Sequence, residues 1–298
     1  MARKETASFY FMRIVSTAAI VSKPRSPEAA RVVPELIPWL EQRGIATRLD
    51  PNTAAYAGCG EGVPRDQVPD QTQLVIVLGG DGTLLSAARA IAGREIPIFA
   101  VNLGGLGFLT AIKTEELYPQ LEQALRGALP FEQRRLLLTE LWRGGKKMAC
   151  YEGLNDMVLA KAEIARMIDL EVQVDDSFVC VYKADGLIVS TPTGSTAYSL
   201  SAGGPIILPS VAAWAITPIC PHTLTNRPVI VPDQSVIQVR VLAIDHATYL
   251  TIDGQVGELL KEGDRVVCRR SEHSISLVRP PDLLFFDVLR EKLKWGGR

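Results

Sequence analysis

An uninterrupted apolar run that ends in glycine is the feature that most constrains the fold. Residues 74–78 read Leu-Val-Ile-Val-Leu, and two glycines follow at once. A run this short and this apolar is typical of a strand buried on both faces, as in a parallel sheet covered by helices. Apolar residues then recur at helical spacing between Leu84 and Ile91, and residues 96–101 form a second apolar run. The pattern predicts an α/β domain in the first part of the chain.

Beyond about residue 130 the spacing of apolar residues changes to two. Residues 168–175 alternate between apolar and polar side chains, and residues 237–241 and 274–277 do the same. Strict alternation indicates half-buried antiparallel strands. We therefore predict a chain of class α/β plus all-β, with a Rossmann-like N-terminal domain and an antiparallel β domain. The predicted boundaries are 1–132 for the α/β domain, 133–279 for the β domain, and 280–298 for a segment that returns to the α/β domain.

Two local signals concern the ends and the continuity of helices. Ser26 is a good N-cap for a first helix, but Pro34 and Pro38 lie inside its apolar pattern and should kink or break it. Thr114 is placed to cap a later helix that runs to about Arg126.

The charge balance and the cysteines exclude several classes of protein. The 32 Lys and Arg against 33 Asp and Glu give a net charge of −1, which disfavours a dedicated nucleic-acid binder. The chain has no apolar run of the roughly 18 residues that a membrane span needs. Five cysteines at wide spacing indicate neither a disulfide framework nor a structural zinc site, and three histidines disfavour a His-rich catalytic metal site. We expect a cytoplasmic protein that binds neither nucleic acid nor membranes.

Two glycine-rich turns in the first domain are candidate sites for phosphate groups. The turn Gly79–Thr83 stands between a predicted strand and a helix, where ligands gather in open α/β sheets. Asn102–Leu109 follows the next strand and has three glycines in four positions. The alternative for Gly79–Thr83 is a tight turn in which Asp81 caps the helix. The alternative for Asn102–Leu109 is a flexible connector. Neither turn has the Walker or the dinucleotide-binding spacing.

Two polar segments in the second domain are candidate sites for a polar ligand. Asn155–Asp156 precedes an apolar run and offers acceptors and an amide donor that suit the two hydroxyls of a ribose. Eight of the twelve residues from Ser190 to Ser201 carry a hydroxyl, although apolar residues frame the segment. The alternative for Asn155–Asp156 is an ordinary turn. The alternative for the segment from Ser190 to Ser201 is that its hydroxyls form hydrogen bonds with neighbouring backbone groups.

Single positions carry weaker signals. Asp253-Gly254-Gln255 suits a hairpin turn, and His222 suits a loop. Arg166 and Lys183 lie close to candidate sites but are also consistent with solvated charges on strands.

Taken in order, the motifs resemble those of the bacterial NAD kinase family, the ATP-NAD kinases. The resemblance extends from about Val75 to Trp295, and its long final block is the most specific part. Gly-Gly-Asp-Gly-Thr alone is also similar to lipid kinases and phosphofructokinases. The matching segments are Gly79–Thr83, Asn102–Leu109, Leu154–Val158 and Asp185–Pro205, continued by Pro221–Leu224 and Arg227–Pro228.

The resemblance implies transfer of a phosphate, usually from ATP, to the 2′-hydroxyl of the adenosine ribose of NAD, with Mg²⁺ or another divalent cation. It implies that Asp81 is the proton acceptor, and that the protein forms a homodimer or homotetramer. For the triphosphate we expect Gly79, Gly80, Thr83, Asn102, Gly104 and Gly105. The implied NAD contacts are Gly82, Asn155, Asp156, Arg166, Lys183, Asp185, Thr193, Thr196, Ala197, Tyr198, Ser199, Ser201 and Gln255.

Two positions depart from the family pattern. Where the family often has Glu, this chain has Asp156, whose side chain is one methylene shorter. Where the family often has Arg, it has Lys183, which lacks the planar guanidinium group that can form two parallel hydrogen bonds. Two other hypotheses stay open at this point: a kinase for another hydroxyl acceptor, such as a lipid or a sugar phosphate, and a dinucleotide sensor without activity. The sequence leaves open ATP against polyphosphate as donor and NAD against NADH as acceptor. It also leaves open whether Asp81 acts as a base, as a metal ligand or as both.

Overall fold

A computed structural model describes residues 15–110, 112–161, 167–243, 247–280 and 284–295. The chain divides into two compact units. The first unit comprises the chain up to Gln133 and from Ser274 onward, and the second comprises Arg134–His273. Among the helices of the described ranges, none is both long and apolar enough to cross a membrane.

The first unit is built on a parallel sheet with helices between its strands. Its strands lie in the order β2 (Ala46–Leu49), β1 (Thr17–Ser22), β3 (Leu74–Gly79) and β4 (Ile98–Asn102), with β5 (Ile112–Lys113) beside β4. The end of a late strand also pairs in parallel with β4. The predicted α/β class is thereby confirmed. The elements are β1 (Thr17–Ser22), α1 (Pro27–Glu41), β2 (Ala46–Leu49), α2 (Pro51–Ala57), β3 (Leu74–Gly79), α3 (Asp81–Ile91), β4 (Ile98–Asn102), β5 (Ile112–Lys113), a 3₁₀ turn (Thr114–Glu116) and α4 (Leu117–Leu125).

The strand β3 occupies the centre of this sheet, and all six of its residues are buried. It lies between β1 and β4, and the strand order reverses direction between β1 and β3. In open α/β sheets ligands bind at the carboxyl ends of strands beside such a reversal. The predicted strand–turn–helix unit is confirmed, and its glycine turn stands at that edge.

Helix α1 shows that the expected break at Pro34 and Pro38 is wrong. The helix is continuous from Pro27 to Glu41, and Ser26 caps it by accepting a bond from the Ala29 N–H at 3.3 Å. Both internal prolines are exposed, whereas the opposite face buries apolar side chains. The carbonyls left without a donor by the prolines can therefore be solvated, and burial of the apolar face holds the helix together.

The start of α4 also differs from the expectation, because Thr114 is not its cap. The Thr114 hydroxyl donates instead to the carbonyl of Asn102, at 3.1 Å. The Glu116 carboxylate accepts from the Lys113 N–H at 3.1 Å and so organises the 3₁₀ turn before the helix. Thr114 is thus tied to the end of β4, next to the second glycine-rich turn.

The second unit contains two antiparallel arrangements of strands, and the predicted β class is confirmed. One has the order β10-β9-β14-β17 together with the β6–β7 hairpin, and the other has the order β13-β12-β11-β8-β15-β16. The elements are β6 (Phe131–Arg143), β7 (Lys146–Gly153), β8 (Asp156–Lys161), β9 (Ile168–Val174), β10 (Ser177–Ala184), β11 (Gly186–Ser190), a 3₁₀ turn (Gly194–Thr196), α5 (Tyr198–Ser201), β12 (Ala213–Ile219), β13 (Val229–Pro232), β14 (Ile237–Ala243), β15 (Thr248–Ile252), β16 (Val256–Leu259) and β17 (Arg265–Val278), followed in the first unit by α6 (Phe285–Leu293).

The alternating pattern read from the sequence matches the burial of β9. Ile168, Leu170 and Val172 are buried, whereas Glu171 and Gln173 on the other face are half-buried. The buried side chains join a core that includes Trp214 on β12. Strand β9 therefore presents one polar face that can carry function.

Replacing Pro34 by Ala should stabilise the first unit. The substitution restores a backbone N–H that can donate to the Ala30 carbonyl at an exposed position. The unfolded chain gains conformational entropy when the proline is lost, but this destabilising effect is smaller. We expect the free energy of unfolding to rise by about 1–3 kcal/mol. Urea denaturation measures it, with Glu35→Ala on the same exposed helix surface as the control that should change little. A Pro34→Ala protein less stable than the parent would show that α1 requires the proline geometry.

Candidate active site

Asp81 is the first residue of α3, and its carboxylate holds the second glycine-rich turn in place. Its Oδ2 accepts from the Phe108 N–H at 2.9 Å, and its Oδ1 accepts from the N–H groups of Leu109 and Thr110 at 3.1 and 3.0 Å. The Thr110 hydroxyl donates to Oδ1 as well, at 3.0 Å. The alternative in which Asp81 caps its own helix is therefore wrong, since the N-cap is Gly80.

The bonds of Asp81 leave one oxygen with spare capacity. Within the described part of the chain Oδ1 accepts three hydrogen bonds, whereas Oδ2 accepts only the one from Phe108. A carboxylate oxygen has two lone pairs, so Oδ2 can accept one more donor or bind a cation. A Cβ on Gly107 would lie 2.2 Å from Oδ1, which requires glycine there.

Asn102, the last residue of β4, organises the same turn from the other side. Its amide nitrogen donates to the carbonyl of Gly105 at 3.0 Å and to the carbonyl and hydroxyl of Thr110 at 3.1 and 2.9 Å. Its amide oxygen accepts from the Gly104 N–H at 2.7 Å. The side chain is thus used within the turn, and the exposed backbone of Gly104 and Gly105 is what the turn presents to a ligand.

The first glycine turn is closed by contact between Gly79 and Thr83. A Cβ on Gly79 would lie 2.4 Å from the Thr83 hydroxyl oxygen, so the buried threonine packs directly over the glycine. Gly80 and Gly82 have open space where a Cβ would be. The turn therefore exposes backbone at the start of α3, where no side chain caps the helix.

In the second unit Asp253 repeats the arrangement of Asp81. Its carboxylate accepts from the N–H groups of Leu154, Asn155 and Asp156 at 3.0, 2.7 and 3.1 Å. Asp253 and Gly254 have φ values of 51° and 62°, and they form the tight turn of the β15–β16 hairpin. The sequence indicated the hairpin turn, which is confirmed, but not this role.

Asn155 has a buried acceptor with no partner among the described residues. Its Oδ1 is inaccessible and accepts no hydrogen bond there, although its backbone carbonyl accepts from the Thr191 N–H at 2.9 Å. A Cβ on Gly194 would lie 2.0 Å from that carbonyl oxygen, so glycine lets the hydroxyl-rich segment approach. A buried acceptor without a donor is costly and indicates that a ligand or water supplies one.

Much of the hydroxyl density between Ser190 and Ser201 is used internally. Thr191 donates to the Leu154 carbonyl at 2.6 Å, Ser195 to the Pro192 carbonyl at 2.7 Å, and Ser199 bonds Thr217 at 3.1 Å. The alternative of hydroxyls satisfied by neighbouring groups therefore holds for these side chains. Two candidate contacts, Tyr198 and Ser201, are exposed, and Thr196 and Ala197 are half-buried.

The remaining predicted contacts fall into different surroundings. Thr193 is buried, and its hydroxyl accepts from Arg134 at 3.4 Å. Lys183 on β10 and Gln255 after the hairpin turn are exposed. Asp185 forms an ion pair at 2.6 Å with Lys161, a residue that the sequence analysis did not single out.

Two further positions were singled out in the sequence. His222 is exposed, and its N–H donates to the Lys183 carbonyl at 2.9 Å. Arg166 lies outside the described residues.

Asp156 has the most perturbed carboxyl of the candidate set. Burial raises its pKa from 3.8 to about 7, and the negative charge of Asp253 acts in the same direction. Near neutral pH the side chain can therefore both donate and accept hydrogen bonds, as a ribose hydroxyl requires.

The described residues contain no group of three or more His, Cys, Asp or Glu side chains placed to hold a metal ion. The Mg²⁺ that the motifs imply does not need such a group, because it commonly binds through one or two carboxylates together with substrate phosphates. The spare lone pair of Asp81 Oδ2 fits that requirement.

Asp156 should make stability depend on pH in a defined window. Between about pH 4 and pH 7 the Asp156 carboxyl holds a proton in the folded state that it has released in the unfolded state. The contribution of Asp156 to the free energy of unfolding therefore falls as the pH rises through this window. Asp156→Asn should remove this dependence. Urea denaturation across the window measures it, and exposed Asp176→Asn should follow the parent. A parallel pH dependence in parent and Asp156→Asn would contradict the shift.

The amino-acid sequence matches two protein-family models, one in each half of the chain. Residues 60–129 match the family model described as the ATP-NAD kinase N-terminal domain, and residues 154–280 match the ATP-NAD kinase C-terminal domain. The two models together cover more than half of the chain, and they include both glycine turns and the Asn155–Asp156 segment.

Curated relatives are similar in sequence to this chain over nearly its full length. The NAD kinase of Solibacter usitatus (strain Ellin6076) is 62% identical over 287 residues, which cover 96% of this chain and 100% of the relative. The NAD kinase of Koribacter versatilis (strain Ellin345) is 49% identical over 285 residues, with 95% and 100% coverage.

Solved structures with the same fold have bound nucleotides. Yeast NADH kinase complexed with NADH has a TM-score of 0.89 at 26% identity, covering 96% of this chain and 89% of that chain. An NAD kinase from Archaeoglobus fulgidus in complex with ATP has a TM-score of 0.73 at 25% identity, with 92% and 99% coverage. From these matches, and from the motifs in the turns described above, the chain belongs to the ATP-NAD kinase family.

Proposed function

We propose that this kinase transfers the γ-phosphate of ATP to the 2′-hydroxyl of the adenosine ribose of NAD, with Asp81 as the acceptor of the hydroxyl proton. Family membership makes the chain an enzyme that phosphorylates NAD. The proposed role of Asp81 is supported by the hydrogen bonds that fix its carboxylate. Four donors immobilise the carboxylate at the carboxyl end of a buried strand, and Oδ2 keeps one lone pair.

A fixed carboxylate suits phosphoryl transfer. The transition state is loose, and the enzyme contributes chiefly by positioning and by neutralising charge. Asp81 cannot rotate without breaking bonds to Phe108, Leu109 and Thr110. Its Oδ2 is therefore held ready to orient the attacking hydroxyl and to receive its proton.

The glycine turns are the proposed site of the triphosphate. The start of α3 is free of a side-chain cap, and helix N-termini attract phosphate through backbone N–H groups and the helix dipole. Gly79, Gly80 and Thr83 form this turn, and Gly104 and Gly105 present exposed backbone in the next one. Mg²⁺, when bound, would neutralise phosphate charge. The one spare lone pair of Asp81 Oδ2 can serve either this ion or the attacking hydroxyl, and we assign it to the hydroxyl.

The Asn155–Asp156 segment is the proposed site of the NAD ribose. The unpartnered Oδ1 of Asn155 can accept a bond from a ribose hydroxyl, and Asp156 can donate or accept one near neutral pH. We propose further NAD contacts on the basis of the family resemblance. They are Gly82, Arg166, Lys183, Asp185, Thr193, Thr196, Ala197, Tyr198, Ser199, Ser201 and Gln255. Thr193 and Ser199 are buried, whereas the other described positions are exposed or half-buried.

We further propose that the protein acts in the cytoplasm as a homodimer or homotetramer. The five cysteines, all of which lie in the described ranges, are free, which suits a reducing compartment. The oligomeric state rests on the family resemblance alone, and sedimentation equilibrium tests it.

Replacing Asp81 by Asn should lower kcat for NADP formation by about 10²–10⁴-fold. The amide keeps the oxygen that accepts three bonds but replaces the carboxylate oxygen that would take the proton. NADP formation from NAD, ATP and Mg²⁺, coupled to an NADP-specific dehydrogenase, measures the effect. Asp66→Asn, an exposed aspartate of the same unit, is the matched control and should keep full activity. An active, folded Asp81→Asn enzyme would remove Asp81 from the mechanism.

Replacing Asp253 by Asn should act on NAD binding rather than on the chemical step. The Asp253 carboxylate accepts from the backbone N–H groups of Leu154, Asn155 and Asp156, so its loss should displace the ribose site. We expect the KM for NAD to rise about tenfold, while kcat changes less. The pH window of Asp156 should also shift toward acid, because a neighbouring negative charge is removed. Equal losses in kcat and kcat/KM, or an effect matched by Asp176→Asn, would contradict this positioning role.

A further inference from the structure

The second unit has a cavity that the proposed kinase site does not use. It measures about 430 Å³ and lies on the polar face of the strands β9, β14 and β17, beside the turn of the β6–β7 hairpin. A small organic ligand needs a cavity of this order. The side chains that line it are Trp142, Glu171, Gln173, Gln238, Arg240 and Arg265.

Two arginines of the cavity stand directly opposite each other. Arg240 on β14 pairs in register with Arg265 on β17. Like charges at directly opposed positions of antiparallel strands destabilise the pair. Within the part of the chain that the structure describes, neither guanidinium forms an ion pair with a carboxylate, and Arg265 has only a 3.4 Å bond to Gln238.

The one carboxylate of the lining does not relieve this repulsion. Glu171 is directly opposite Arg240 across the β9–β14 pair. Its carboxylate accepts instead from the Gln173 side chain at 3.3 Å, and no ion pair with Arg240 forms. The neighbouring Glu140 is already engaged by Lys147 and Arg269 at 3.1 and 3.2 Å. The described part of the lining therefore keeps a net positive charge.

Trp142 supplies an aromatic wall beside the arginines. Its indole nitrogen donates to Glu140 at 3.3 Å, which fixes the ring, and the Arg265 guanidinium is 5.8 Å from the ring centre. Indole faces favour flat, unsaturated groups. The amides of Gln173 and Gln238 add donors and acceptors on the same face.

We propose that this cavity binds a small organic anion with a planar ring, whose phosphate or carboxylate lies between Arg240 and Arg265 and whose ring lies on Trp142. The anion removes the repulsion between the guanidinium groups through charge-assisted hydrogen bonds. None of the lining residues belongs to the proposed sites for NAD and ATP, so the inference does not depend on the proposed function.

Phenyl phosphate is the probe that tests the proposal. The full-length protein is titrated at constant ionic strength while the indole N–H resonance of Trp142, assigned through Trp142→Phe, is followed by NMR. We expect a saturable shift with a Kd of about 1 mM or below. Benzoate shows whether carboxylate serves as well as phosphate, and inorganic phosphate and benzyl alcohol should each bind more weakly, since each lacks one half of the ligand.

Arg240→Gln and Arg265→Gln should each weaken phenyl phosphate binding about tenfold or more, the size expected for one charge-assisted bond. Arg126→Gln removes the same charge from an exposed side chain just after α4 in the first unit, and it should bind like the parent. NADP formation should be unchanged in all three variants. The proposal is wrong if no saturable shift occurs, if the arginine variants bind like the parent, or if the Trp142 resonance depends on protein concentration instead, which would indicate contact with a second copy.

Discussion

One interaction recurs in the two units, and the candidate sites depend on it. A single aspartate carboxylate accepts hydrogen bonds from three consecutive backbone N–H groups. Asp81 does so for residues 108–110 and Asp253 for residues 154–156. Consecutive N–H groups that point the same way cannot be satisfied within a strand or a helix, and they attract a negative charge. The conformation of each turn thus depends on an acidic side chain from another element.

In the glycine turn and the hydroxyl-rich segment, several polar side chains hold the backbone in place. Asn102 and Thr110 use their side chains inside the second glycine turn, and Thr191 and Ser195 use theirs inside the hydroxyl-rich segment. Atoms held by several bonds do not reorganise when a substrate binds, which is the basis of electrostatic preorganisation. The lone pair on Asp81 Oδ2 and the buried Oδ1 of Asn155 remain for a ligand.

The sequence predicted the parts of the fold that local patterns decide. The buried run at β3 and the alternation in β9 were interpreted correctly, because burial on two faces or on one leaves a direct mark on composition. Pro34 misled the prediction, since its cost in a helix is offset by burial of side chains on the opposite face of α1. Thr114 misled it too, because the carbonyl of Asn102 competes for its hydroxyl.

By itself the sequence determined the two-part organisation, the position of the glycine turns and the motifs that identify the family. These features are local, and each is carried by a few adjacent residues. Only the tertiary structure decided that Asp253 supports Asn155–Asp156, about a hundred residues away, and that Arg240 faces Arg265. Whether a polar atom is satisfied or left for a ligand depends on partners that are distant in sequence, and only the folded chain brings those partners within hydrogen-bond distance.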